Sequence, residues 1–170
     1  KSISIVILIA CIFTISCKSQ KGVNVPDGTK AFNLLSEYHL FKGNLVDLIP
    51  EDGVIPYDLN TPLYSDYAQK LRFVWMPKGV TAKAQPDGTI QFPEKTILVK
   101  NFFYENKGVK NRVETRLLIH TTKGWNAVTY VWNKEQTDAT LEIAGAEIPV
   151  TFQHLGKDIS FKYSVPNKIQ

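Results

Sequence analysis

Ionisable side chains alternate along one strand of a predicted β-hairpin. Apolar residues alternate over 113–121 and 125–133, and Lys123-Gly124 between the two runs favours a two-residue turn. Pairing the strands across that turn places one polar set on a single face. The members of this set are Glu114, Arg116, His120 and Asn133. Two interpretations stay open: a solvated outer face with an ordinary Glu–Arg pair, or a polar pocket.

The opposite face of the same hairpin is apolar and predicts a core. Its residues are Thr115, Leu117, Ile119, Val128, Tyr130 and Trp132. Of the three tryptophans, Trp75 and Trp132 fall in apolar alternation and predict packing. Trp125 directly follows the turn, and we expect it to be exposed as a platform on which a ligand can stack.

A second polar set lies in a segment with no helical or strand period. It comprises Asp58, Asn60, Ser65 and Asp66. One hypothesis combines this loop with Arg116 into a catalytic site, which requires the groups to converge on one reacting atom. The alternative is that these side chains satisfy backbone groups of a long connection through Asx- and Ser/Thr-type turns.

Motifs of known enzyme classes are absent from the sequence. His39, His120 and His154 have no second ligand at metal-binding spacing, and no nucleophile elbow or phosphate-binding glycine loop occurs. The sequence therefore assigns no catalytic residue and no metal site, and whether the protein is an enzyme stays open.

Composition excludes further classes of protein. The 170 residues carry 20 Lys+Arg against 16 Asp+Glu, a net charge of +4, with no basic run. This charge is too small and too dispersed to indicate a nucleic-acid partner. The apolar content of 44% is that of a globular domain.

The N-terminus has the composition of an export signal. Residues 2–16 are almost wholly apolar but too short to span a hydrocarbon core, so 1–16 predict a lipoprotein signal peptide. The residues before Cys17 resemble a lipobox, which makes Cys17 the expected lipid attachment site. Cys11 is the other candidate, and a secretory signal without lipid is the alternative. The expected location is an exported, membrane-anchored lipoprotein, in the periplasm or at the outer membrane.

We expect a polar tether over residues 17–28, beginning at the lipid-anchored cysteine, and a single β-rich domain over residues 29–170. A short N-terminal helix is expected over 30–41, where apolar residues recur at helical spacing. The run 96–104 is apolar on both faces and predicts a central strand. Several short strands separated by turn signals predict a mainly β fold, an antiparallel β-sandwich or jelly roll. No cysteine follows Cys17, so this domain has no disulfide.

Two long strings carry a family resemblance. The first is GVIPYDLNTPLYSDYA over 53–68, and the second begins with ETRLLIH at 114–120 and ends with YVWNKEQTDA at 130–139. With them, the chain from about residue 35 onward resembles a family of exported bacterial proteins described as dihaem c-type cytochromes with a β-rich N-terminal region.

The resemblance implies a haem c attached downstream of Gln170, where the family has a Cys-x-x-Cys-His motif. No cysteine within the domain can hold haem, so no cofactor is expected there. The implied function is a scaffold or docking domain of an electron-transfer lipoprotein. Its partners would be a redox protein or the haem domain of the same chain. The alternative is an extracytoplasmic glycan- or protein-binding β-sandwich module.

Overall fold

The computed structural model describes residues 22–167, so Cys11, Cys17 and the predicted signal peptide lie outside the described residues. The described part is mainly β, and every strand pairing in its sheets is antiparallel. The strands are β1 Phe41–Lys42, β2 Ile49–Pro50, β3 Val54–Tyr57, β4 Gln69–Trp75, β5 Lys83–Ala84, β6 Ile90–Gln91, β7 Ile97–Asn106, β8 Val109–Thr121, β9 Gly124–Trp132, β10 Ala139–Glu142, β11 Ala146–His154 and β12 Lys157–Val165.

A six-stranded sheet in the order β10-β9-β8-β7-β4-β3 forms the centre of the molecule. The prediction of a central strand over 96–104 is confirmed, because β7 lies between β8 and β4. The β8–β9 hairpin has the predicted alternation of faces, with Leu117 opposite Val128 and Thr115 opposite Tyr130. Gly124 begins β9 with a positive φ of 101°, a conformation that glycine adopts without steric cost.

One face of the sheet carries the larger core. Leu117, Ile119, Tyr130 and Trp132 are buried in it, as the alternation predicts. Thr115, on the same face, is also fully buried, and its hydroxyl accepts a hydrogen bond from the Trp132 indole at 2.9 Å. The N-terminal segment covers this face. Part of the predicted tether belongs to it: Val23 and Val25 pack against the core, and the Asn24 N–H donates to the Tyr38 carbonyl at 2.8 Å.

The predicted helix over 30–41 is not formed. Only Leu35–Tyr38 are helical, as one 3-10 turn. Leu34 is extended and forms a bridge to Thr140, and the Asn33 carbonyl accepts the N–H of Leu141 at 2.9 Å. The backbone before this turn therefore bonds to the sheet edge instead of forming a longer helix, and tertiary pairing outweighs the helical spacing of the apolar residues.

The β11–β12 hairpin packs against the opposite face of the sheet, at the end formed by β7 and β8. Phe102, Val113, Phe152 and Tyr163 belong to the second buried cluster between them. Gly145 connects β10 to this hairpin with φ at 87°, and a Cβ there would lie 2.9 Å from the Val165 carbonyl oxygen. Because no side chain fits, the close return of the chain requires glycine.

Candidate functional site

Three cations face each other across adjacent strands on the sheet face that the β11–β12 hairpin partly covers. In the strand register Arg72 on β4 lies opposite Lys100 on β7, and Lys100 lies opposite Arg116 on β8. We call these three residues the cationic row. Residues directly opposite one another in a sheet point to the same side, and opposed like charges repel. An anion beside the row, supplied by the protein or by a ligand, relieves this repulsion.

Two of the three cations have a carboxylate partner. Arg72 Nη1 donates to Asp58 Oδ1 at 2.8 Å, and Arg116 Nε donates to Glu114 Oε1 at 2.9 Å. Lys100 has no carboxylate within ion-pair distance among residues 22–167, and its ammonium lies 4.7 Å from the centroid of the Phe102 ring. Partial burial, followed by the charges of Arg72 and Arg116, lowers the pKa of Lys100. The central cation of the row is thus the one least compensated.

Glu114 is completely buried, so the interpretation of a solvated outer face is wrong at this position, whereas Leu118 and Ala127 on the same face are exposed. Its Oε1 accepts a hydrogen bond from the Tyr163 hydroxyl at 2.5 Å as well as those from Arg116, while Oε2 has no partner in the described part of the chain. Burial, followed by the charge of Glu114, raises the pKa of Tyr163, so this hydroxyl keeps its proton and acts as donor. Desolvation lowers the pKa of Arg116, but its bonds to Glu114 outweigh that and the net shift is upward.

A local irregularity positions Glu114 beneath the hairpin. The register of β7 and β8 shifts between Phe102 and Phe103, so that Phe102 pairs with Glu114 while Phe103 pairs with Arg112. The extra residue, Val113, is buried in the same cluster as Tyr163. Such bulges redirect side chains locally. Here Val113 packs with the hairpin and the neighbouring carboxylate meets a hydroxyl of β12.

Two of the four predicted loop residues line a groove that does not include Glu114 or Arg116. Asp58 and Ser65 line a depression of about 500 Å³ together with Lys70 and Arg72. The Asp58 carboxylate is exposed and pairs with Arg72, whereas Asn60 is exposed without a side-chain hydrogen bond in the described residues. Arg116 lines two other grooves and is two strands away from Arg72, about 10 Å at the usual strand spacing.

The loop is held mainly by hydrogen bonds to its backbone groups, and its polar side chains do not converge on one point. The Ser65 carbonyl accepts the N–H of Ala68 at 2.7 Å, and the Asp66 carbonyl accepts the Tyr104 hydroxyl at 2.9 Å. Asp66 has a positive φ of 44°. Asp58 Oδ1 also accepts the N–H of Leu59 at 2.8 Å, as expected for a side chain that satisfies loop backbone.

His120 and Asn133 lie away from Glu114. The His120 ring stacks on Trp125 with centroids 4.6 Å apart, and its Nδ1 lies 3.0 Å from the Pro93 carbonyl oxygen. Trp125 is 44% exposed, as the sequence predicts. Asn133 lies beyond the end of β9, where its side chain bonds to Thr137 in a turn. The sequence predicted that Glu114, Arg116 and His120 form a row, with Asn133 on the same face of the neighbouring strand; the structure brings together only Glu114 and Arg116.

Sequence reasoning missed three residues of the site: Arg72, Lys100 and Tyr163. Lys100 is a single charge in the otherwise apolar run 96–104, and Arg72 is a single charge between Leu71 and Phe73. One cation in each of two neighbouring apolar strands is a signal that the pattern contained. Tyr163 carried no such signal, since it lies on the apolar side of a regular alternation.

The described residues contain no cluster of metal ligands and no cysteine for haem attachment. Across residues 22–167 no three His, Cys, Asp or Glu side chains cluster closely enough to hold a metal ion. No cysteine occurs after Cys17, so covalent haem attachment has no residue here. Within the same residues no helix is long and apolar enough to span a bilayer.

The fold and the site define a mainly β, antiparallel domain with a cationic row and a buried Glu–Arg–Tyr cluster on one sheet face. Searches of protein-family models, of curated proteins and of solved structures found nothing that matches this chain.

Proposed function

We propose that the chain is the scaffold and docking domain of an exported, lipid-anchored electron-transfer protein of the c-type cytochrome kind. The proposal starts from the resemblance of two strings that are distant in sequence. One observation supports it most: residues of both strings lie on one sheet face, because Tyr57 of the first string and Arg116 of the second line the same groove. Asp58 of the first string pairs with Arg72, and Arg116 of the second string belongs to the same cationic row. A surface shared by both strings is the expected arrangement for a docking face.

The path of the last strand fits this role. Pro166 and Asn167, which follow β12, line a groove of about 340 Å³ together with Arg116 and Glu142. If a haem domain follows Gln170, as the resemblance implies, the connection between the two domains starts beside this groove. The charged face would then lie next to the redox domain or its partner. A sandwich-like architecture belongs to the same proposal, because the β11–β12 hairpin covers one end of this sheet face.

Haem staining of the intact gene product after denaturing electrophoresis tests the proposal. Covalent haem survives denaturation, so we expect a stained band at the size of the complete protein. The 170-residue chain expressed alone is the matched control and stays unstained, because it has no cysteine after Cys17. An intact gene product without covalent haem contradicts the proposal.

An extracytoplasmic glycan- or protein-binding module is the second candidate function. The observation that favours it is the half-exposed Trp125, stacked on His120 and in edge contact with Phe92 at 6.1 Å. Exposed aromatic rings are suited to stacking on the apolar faces of sugars. A glycan array probed with the wild type and with Trp125→Ala tests it. Trp132, which is buried, is unchanged in both proteins. Binding that is unchanged by the substitution, or no binding at all, argues against this function.

A further inference from the structure

A groove of about 290 Å³ crosses β7, β8 and β9 on the face of the cationic row. Its polar lining comes from Lys100, Arg116, Tyr57 and Thr129. Its volume lies just below the range for drug-sized ligand sites, about 300–1,000 Å³, and so suits a small molecule. The groove is separate from the loop groove beside Asp58 and from the stacked ring of Trp125.

The groove carries uncompensated positive charge. Lys100 has no carboxylate partner, and Arg116 uses Nε and Nη2 for Glu114 while Nη1 has no hydrogen bond within residues 22–167. A guanidinium held by one carboxylate retains donors for a second anion. Because Glu114 is buried and bonded to Tyr163, the Arg116 fork is fixed in position before any ligand arrives.

Apolar side chains form the adjoining part of the groove. Leu98 and Leu118 are opposite each other in the register, one row further along the strands than Lys100 and Arg116. Leu118 is 41% exposed, and Ala127, its partner on β9, is exposed as well. Residues two apart on a strand share a face and lie about 7 Å apart. The cations and the apolar row are therefore within reach of one small molecule.

We infer that this groove binds a small organic carboxylate with an apolar body. The carboxylate would lie between Lys100 and Arg116, and the body would cover Leu98 and Leu118. The anion relieves the repulsion within the cationic row, and the body removes exposed apolar surface from water. This inference does not depend on the electron-transfer proposal, since it uses only the geometry of the sheet face.

Amide chemical shifts of the purified full chain, titrated with three probes, test the inference. Benzoate carries both features, benzyl alcohol carries the ring without the charge, and acetate carries the charge without the ring. We expect saturable shifts with benzoate at 98–100, 116–118 and 127–129, and roughly tenfold weaker binding of the other two. Equal binding of acetate, no saturation with benzoate, or shifts confined to other residues overturns the inference.

Two substitutions separate the charge from the apolar surface. Lys100→Met keeps the aliphatic stem and removes the charge, and we expect roughly tenfold weaker benzoate binding. Lys110→Met is the matched control, because Lys110 also lies over a ring, 5.2 Å from that of Phe103, but outside the groove. We expect Leu118→Ser, at an exposed position, to weaken the binding of benzoate and to leave the binding of acetate unchanged. Wild-type benzoate affinity in Lys100→Met, with the fold verified by its amide spectrum, refutes the assignment.

Discussion

The hydroxyl of Tyr163 donates a hydrogen bond of 2.5 Å to the completely buried carboxylate of Glu114. This bond connects β12 of the hairpin to β8 of the six-stranded sheet. Arg116 bonds to the same oxygen from the rim of the groove. A buried carboxylate without partners is strongly unfavourable, so the three side chains depend on one another.

Replacing Tyr163 by phenylalanine removes the donor and keeps the ring. We expect the free energy of unfolding to fall by about 2 kcal/mol, because hydrogen bonds to charged groups contribute about 1.5–3 kcal/mol. Urea unfolding followed by circular dichroism measures the change. Tyr57→Phe is the control, since no hydrogen bond of the Tyr57 hydroxyl exists in the described residues, and it should change stability little. Equal stability of wild type and Tyr163→Phe is the contrary result.

Glu114→Gln tests the charge at nearly constant shape. The substitution leaves Arg116 without its buried anion, and we expect the free energy of unfolding to fall by about 2–3 kcal/mol, less than for a fully buried pair because Arg116 is partly exposed. Glu147→Gln is the matched control. Glu147 pairs with Lys162 at 2.9 Å on an exposed surface, where a loss of at most about 1 kcal/mol is expected. Similar losses in both variants contradict the role assigned to Glu114.

Alkaline pH should destabilise the protein. Burial, as the leading cause, raises the pKa of Tyr38, Tyr104, Tyr130 and Tyr163, whereas an unfolded tyrosine ionises near pH 10. Above that pH the unfolded chain releases protons that the folded chain retains. The contribution of these groups to stability is therefore complete below about pH 10 and decreases as the pH rises further.

Phenolate absorbance and near-UV circular dichroism, recorded on the same samples between pH 8 and the unfolding transition, measure this effect. We expect the four buried tyrosines to ionise together with the loss of tertiary structure. Tyr163→Phe should show a shallower alkaline decline, because one of the four groups is gone. Reversible ionisation of all seven tyrosines in the folded protein is incompatible with the prediction.

Labelling with palmitate tests whether Cys17 or Cys11 carries the proposed lipid. Cells expressing the chain with labelled palmitate should incorporate label in the wild type and in Cys11→Ser, and lose it in Cys17→Ser. The reason is that a lipobox cysteine becomes the acylated N-terminus of the mature protein. Loss of label in Cys11→Ser instead assigns the cleavage site to Cys11. The absence of label in the wild type and in both variants supports a secretory signal without lipid.

The local pattern of apolar and polar residues was sufficient to predict part of the fold. Alternation with a period of two predicted the β class, the central strand over 96–104 and the faces of the β8–β9 hairpin, because neighbouring strands in a hairpin have few alternative registers. It placed Trp132 in the core and Trp125 at the surface, as observed. These features depend on residues close together in the chain.

The buried state of Glu114 was decided by the tertiary structure alone. Its partner Tyr163 is 49 residues away, and the hairpin that covers it is placed by long-range packing. The cationic row likewise needs the register of three strands, of which β4 and β7 are far apart in sequence. The segment 30–41 has helical spacing but bonds to the edge of the sheet. The sequence alone determined which residues alternate, and only folding determined which face a distant hairpin would close, because that choice rests on contacts between remote segments.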